Sequence, residues 1–389
     1  MLNMSFSQKV LCKALRSRRL LCNSVQNSHA NALLAANKTA KTDWNILLGD
    51  NLLFDLPGLE SVSAAIQAYR GTATSLSFRL VLSREALRDY YSHNIFLKEE
   101  RDYGVSDRET DNKTQFVELP IKALKKSAIK KQNQKTDTLY IKLDELTTPI
   151  HYPLALSKPD KNSTPLALLM PYSCDHDCLF ANQIAIFSNL NQQLKSAFFS
   201  WLRGAFSRRK IGLKRRIALS WKQIHSKAEI HPTAIIEGSV IGAGCRIGAH
   251  CVVRYSVLGE NVVLNDGAKV EYSVIDDNSW LMHDLVLYRS LLESNVFLIH
   301  GPYQFSFFQH QSAAFANIMM DYRPDNRPIK IKTPYGIRDY QGRFLGALLE
   351  EKAKVFGGTL TAPGITIPAG KEIFCDKAAI TTAKQMKDF

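Results

Sequence analysis

The sequence predicts an α/β domain over residues 43–180 followed by a parallel β-solenoid over 223–375. Three observations carry this reading. Between Ile230 and His300 the chain repeats with a step of 17 residues: Ser239-Val240-Ile241-Gly242 returns as Ser256-Val257-Leu258-Gly259, Ser273-Val274-Ile275-Asp276 and Ser290-Leu291-Leu292-Glu293. Inside each repeat, aliphatic residues return every five or six positions, as at Ile230, Ile236, Ile241, Ile247 and Val253. Upstream, short apolar runs alternate with helix-like segments, which suggests an α/β layer with a parallel sheet. Self-similarity at a fixed period marks a solenoid, whose repeats bury their apolar faces only against their neighbours.

The repeat columns name the core. Ile247, Leu264, Leu281 and Leu298 keep the step, as do Val253, Val270 and Leu287. Cys251, Ala268 and Leu285 form a further column, and Cys245, Val262, Ser279 and Val296 another. A spacing of six fits neither strand alternation alone nor a helix. It suits a short strand and a turn, three times per coil, and Gly242, Gly244 and Gly248 suit the turns.

The run Ile230-His-Pro-Thr-Ala-Ile-Ile-Glu-Gly-Ser-Val-Ile-Gly-Ala-Gly-Cys-Arg-Ile-Gly248 resembles the hexapeptide-repeat transferases. That resemblance implies a left-handed parallel β-helix of triangular section and a homo-oligomer, with a trimer favoured. Members include acyltransferases, nucleotidyltransferases with an appended helix of this kind, and catalytically silent proteins, because one fold hosts many functions. The implied substrates are acyl-CoA or a nucleotide sugar, with an activated or phosphorylated sugar as the small-molecule partner.

Composition bounds the rest. The 389 residues suffice for two domains, and the net charge of +14 favours anionic partners. No apolar run approaches the roughly 18 residues of a membrane span. Seven scattered cysteines do not form a disulfide framework, so a reducing, cytoplasmic setting is expected. Residues 1–42 hold no acid and read as a basic extension, with organelle targeting as the alternative. No groove-reading motif points to nucleic acid.

From Trp44 to Leu48 a buried strand is expected, then a helix over Leu59 to Tyr69, a strand over Leu76 to Leu82 and a helix over Arg84 to Tyr91. Leu48-Gly49-Asp50-Asn51-Leu52-Leu53-Phe54 resembles the strand-end motif of sugar-phosphate nucleotidyltransferases, which implies Asp50 as a magnesium ligand. The Gly-rich nucleotide loop of that family has no counterpart before Ile46. Residues 100–136 read as charged loops. In Cys174-Asp175-His176-Asp177-Cys178 two thiols and an imidazole lie close together, but not at a zinc-finger spacing, and aspartate capping of the next helix is the preferred reading. That helix carries an apolar stripe through Ile184, Phe187, Leu190 and Leu194, then runs into Arg208, Arg209, Arg215 and Arg216. Residues 181–222 therefore read as a basic amphipathic connector, with peripheral contact to an anionic membrane as the alternative. Residues 376–389 read as a C-terminal cap.

For chemistry the resemblance points to histidine, the usual general base of hexapeptide acyltransferases. His283 and His300 stand 17 apart and are read as equivalent positions on one edge, with His300 as the preferred base. After His300 the coil pattern is expected to break into an insertion over 301–343. Tyr303 would wall a pocket there, and Arg323 and Arg343 would hold phosphates through their two-pronged guanidinium groups. The function read from sequence is acyl or nucleotidyl transfer to an activated or phosphorylated sugar; the alternative is a non-catalytic scaffold that binds a nucleotide sugar and oligomerises.

Overall fold

A computed structural model describes residues 44–48, 52–101, 113–125, 135–150, 160–196, 222–323, 325 and 327–375. The readings at residues 1–42, at Asp50, along 197–221 and at 376–389 lie outside the described residues. The chain forms two compact units: Met1–Ser196 with Ile331–Arg343, and Ala197–Lys330 with Phe344–Phe389.

The first unit contains, in order, β1 (Trp44–Leu48), β2 (Leu52–Phe54), α1 (Leu56–Ala68), β3 (Ser75–Val81), α2 (Arg84–Ala86), β4 (Leu97–Arg101), β5 (Lys113–Lys125), β6 (Thr136–Lys142), β7 (Glu145–Ile150), β8 (Asp160–Pro165), β9 (Leu169–Pro171) and α3 (His176–Ser196). Its main sheet runs β1-β5-β3-β6, with β4 beside β5. The expected sheet is present, but it is mixed rather than parallel. Only β3–β6 pairs in parallel; β1, β3 and β4 all meet β5 antiparallel. The physical reason is connection length, since β4 ends at Arg101 and β5 begins at Lys113, closer in sequence than the crossover of a dozen or more residues that a parallel pair needs. In β3, Leu76, Phe78 and Leu80 alternate into the core, as a half-buried strand must. Asp55 starts α1: its Oδ1 accepts from Gly58 N (2.8 Å) and Leu168 N (3.0 Å), and its Oδ2 from Ser188 Oγ (2.5 Å). One carboxylate thus ties α1 to the segment before β9 and to α3.

The second unit is a left-handed parallel β-solenoid. Two of its faces carry eight parallel strands each, from Lys222–Ile224 to Thr366–Ile367 and from Glu229–Ile230 to Glu372–Ile373. The third carries five, from Ile235–Glu237 to Tyr303–Gln304. The predicted columns point inward: Ile247, Leu264, Leu281 and Leu298 on one face and Val253, Val270 and Leu287 on another are at most 3% exposed. The serine column has its own cause. Ser256, Ser273, Ser290 and Ser306 each donate their backbone N–H to the hydroxyl of the serine one coil earlier, at 3.1 Å in every case. Each hydroxyl of that ladder in turn donates to the carbonyl two residues before it.

The coil pattern does not break at His300. Leu291 pairs with Phe307 and Phe297 with Ala313, so residues through Met319 form one more coil, one residue shorter. Aromatic side chains hide it in the sequence: Tyr303 and Phe308 fill the interior where aliphatic residues stood, and Ala314 makes room on another face. The insertion is therefore shorter than 301–343. It leaves after Ile318–Met319 and returns at Leu348–Leu349, where Phe307 pairs with Leu348. Its hairpin, Ile329–Thr333 with Gly336–Tyr340, places residues Ile331–Arg343 in the first unit. Among the described residues no helix is long and apolar enough to cross a membrane, and the five described cysteines are free thiols.

Candidate functional site: a histidine–aspartate corner of the solenoid

The corner that follows the strands Trp280–Leu281 and Phe297–Ile299 carries both predicted histidines. Its backbone stacks coil on coil: Gly267 N donates to Ala249 O, Asp284 N to Asp266 O and Ala316 N to Ile299 O. Each coil turns here through one residue with positive φ, namely His250 (58°), Gly267 (76°), Asp284 (56°), His300 (59°) and Ala316 (44°). Histidine and aspartate enter this left-handed region at less cost than branched or bulky residues.

This stacking revises the equivalence of the two histidines. They are in register along the strands, where Trp280 pairs with Phe297 and Leu281 with Leu298. At the corner the shorter coil shifts the register, and Leu287 pairs with Tyr303. His300 therefore takes the corner place of Asp284, and His283 takes that of Asp266 in the coil before. The result is two adjacent columns, in each of which a histidine follows an aspartate by one coil, about 4.8 Å along the axis. All four side chains are exposed. Asp266 Oδ1 is fixed by Ala249 N at 2.7 Å. Sequence reasoning found the histidines and missed the aspartates, which come one coil away from them only through the coil geometry.

Tyr303 lies inside the solenoid, not on a pocket wall. It is fully buried, and its hydroxyl donates to Ile299 O at 2.8 Å, bracing the carbonyl just before His300. Asn317 Oδ1 lies 3.0 Å from the same hydroxyl. Arg323 forks onto Asp325 (2.6 and 3.0 Å), and Arg327 joins the same carboxylate, which holds it well below the usual range. Arg323 belongs to the second unit and Arg343 to the first. Another histidine escaped the sequence reading because the coil is short: His310 Nδ1 sits 2.9 Å from Ser294 Oγ, and His310 N donates to Glu293 Oε2.

In the first unit the cysteine-rich pentapeptide recruits a histidine from far away. His93 Nε2 lies 2.9 Å from Asp177 Oδ1, with both side chains fully buried. Ligand atoms of His93, Cys174 and Asp177 all fall within 4.8 Å of one another. Asp177 does not cap the first turn of α3. Its Oδ2 accepts from Ser173 N, Ser173 Oγ and Cys174 N, locking the segment before the helix. Burial works against the Asp177 carboxylate, but His93 and those bonds hold its pKa below the ordinary value. Burial pushes the Cys174 thiol up and lowers His176 to about 3.

Residues 222–301 match the family model described as GlmU-like, C-terminal hexapeptide. That match covers part of the solenoid alone. Among solved structures, this chain is similar to a hexapeptide transferase family protein from Anaplasma phagocytophilum, with 18% identity over 39% of this chain and 72% of that one and a TM-score of 0.25. It is also similar to a GDP-perosamine N-acetyl transferase from Caulobacter crescentus solved with CoA and GDP-perosamine, with 12% identity over 50% and 75% of the two chains and a TM-score of 0.22. No curated protein matches this chain.

Proposed function

We propose that this protein transfers an acyl group from acyl-CoA to a hydroxyl or amine of an activated or phosphorylated sugar, with His300 as general base. The observation that carries the reading is the exposed corner where His300 stands one coil after Asp284. An exposed imidazole can take a proton from an acceptor hydroxyl or amine. His300 takes the proton of the acceptor as its oxygen or nitrogen attacks the thioester carbonyl. The new C–O or C–N bond forms, the C–S bond breaks, and the thiol of CoA leaves with a proton. Asp284 stabilises the imidazolium that forms, and Tyr303 holds the carbonyl before His300 in place. His283, with Asp266, is the second candidate base. The net charge of +14 favours an anionic substrate, and Arg323, in the same unit as His300, is the candidate phosphate contact. A trimer would let a neighbouring subunit wall the open corner.

The test incubates the full chain with acetyl-CoA and a panel of nucleotide sugars and follows release of free thiol. Turnover that falls at least about 100-fold in His300→Ala supports the assignment. Turnover unchanged in that variant overturns His300. Nucleotide-sugar binding by calorimetry, with no thiol release, assigns the protein to the scaffold class instead.

A further inference from the structure

The corner that carries His300 is tied to the coil before it by fewer backbone bonds than its neighbours are. Gly267 N, Asp284 N and Ala316 N each donate to a carbonyl one coil earlier. By the same register His300 N would meet His283 O, and that bond is absent among the described residues. Two residues on, Pro302 has no N–H to give. His300 nevertheless keeps a φ of 59°, a conformation that persists where the surroundings fix it. We propose that Asn317 is a positioning residue for His300: through the Tyr303 hydroxyl it fixes the peptide that sets the angle of the base. This rests on the reading of His300 as the general base.

The chain of contacts is short. Ile299 O and His300 N belong to one planar peptide, and the orientation of that plane sets the φ of His300. Ile299 O accepts from two sides, from Ala316 N at 3.1 Å and from the Tyr303 hydroxyl at 2.8 Å. Among the described residues, the matching corner carbonyls of Ala249 and Asp266 accept from a backbone N–H alone. A side chain therefore takes over at the one of these corners where the coil is shorter and the bond from His300 N is lost. Tyr303 and Asn317 are at most 3% exposed, which shields the contacts from competing water.

Asn317 decides where the hydroxyl points. Tyr303 has one hydroxyl hydrogen and two oxygens within reach, Ile299 O and, at 3.0 Å, Asn317 Oδ1. Asn317 Nδ2 is buried without a partner. The two ends of an asparagine amide fill nearly the same space, so half a turn of the amide brings Nδ2 to the phenol oxygen. That N–H then donates to Tyr303, and the phenol hydrogen has Ile299 O as its remaining acceptor. The turned oxygen takes the unpartnered place, which an acceptor tolerates better than a donor does. Asn317 comes from the coil after His300, so the base is braced from the side on which its backbone bonds are intact.

The experiment compares the full chain with Tyr303→Phe, Asn317→Leu and the double variant. One arm is thiol release from acetyl-CoA with the nucleotide-sugar panel; the other is NMR of histidine-labelled protein. Asn317→Leu is expected to lower kcat about tenfold with KM little changed. Tyr303→Phe should lose at least as much, and the double variant no more than Tyr303→Phe, because Asn317 acts through the hydroxyl. Losses that add in the double variant overturn the relay, and so does a wild-type kcat in Asn317→Leu. The spectra need no turnover: the His300 signal should shift or split in Asn317→Leu while those of His231 and His250 stay in place, which also verifies the fold. A wild-type chain without thiol release removes the general-base reading and leaves the spectra to decide. A displaced His300 signal then keeps the positioning role, and an unmoved one ends it.

Discussion

At the scale of single residues, the chain uses a few side chains to join segments far apart in sequence. Asp55 is the clearest, since Gly58 N, Leu168 N and Ser188 Oγ all donate to it in the buried core. Asp55→Ala leaves these donors without an acceptor and is expected to cost about 3 kcal/mol, read as a lower denaturant midpoint with an unchanged slope. Asp55→Asn, which keeps one acceptor oxygen, should recover part of the loss. At the corner of the solenoid the expectation concerns rate. Asp284→Asn keeps the turn, because asparagine also tolerates positive φ, but removes the negative charge one coil from His300. If His300 is the base, acyl transfer should fall about tenfold with KM little changed; an unaltered kcat would remove Asp284 from the reaction.

At the scale of the element, the coil is the unit, and its stability comes from stacking. Leu264 sits inside the solenoid at 1% exposure, between Ile247 and Leu281 in neighbouring coils. Leu264→Asp buries an unpaired carboxylate in a stack whose coils depend on their neighbours, so loss of cooperative thermal unfolding is expected. Near-normal melting would contradict the inward placement. The serine ladder predicts a milder effect. Ser273→Ala leaves the buried Ser290 N–H without its acceptor and should cost about 1 kcal/mol, visible as a melting shift of a few degrees.

At the scale of the whole molecule, chain connectivity matters more than any one contact. The segment Ile331–Arg343 belongs to the first unit, although the chain on both sides of it belongs to the second. Tyr340 fills a buried place there against His93 and Phe180. Tyr340→Ala is therefore expected to destabilise the first unit by about 3–5 kcal/mol while leaving the solenoid core intact. Limited proteolysis checks this: cleavage sites should open within Met1–Ser196 before any appear in the solenoid. Cleavage that begins in the solenoid would show that Tyr340 is not needed where the structure puts it.

The sequence by itself determined the solenoid, its 17-residue coil and nearly all its inward columns, because each coil repeats the same local demand for small turn residues and buried aliphatics. It placed His283 and His300 on one edge for the same reason. Tertiary structure alone decided what periodicity does not encode. The coil after His300 is legible only in three dimensions, since Tyr303 and Phe308 meet the interior's volume with side chains that break the aliphatic pattern, and a missing residue shifts the step. That shift puts His300 in the place of Asp284, which no 17-residue count reveals. The mixed sheet of the first unit and the union of His93 with Cys174 and Asp177 lie furthest from the sequence. They depend on partners dozens of residues apart, brought together by packing that leaves no local periodic trace.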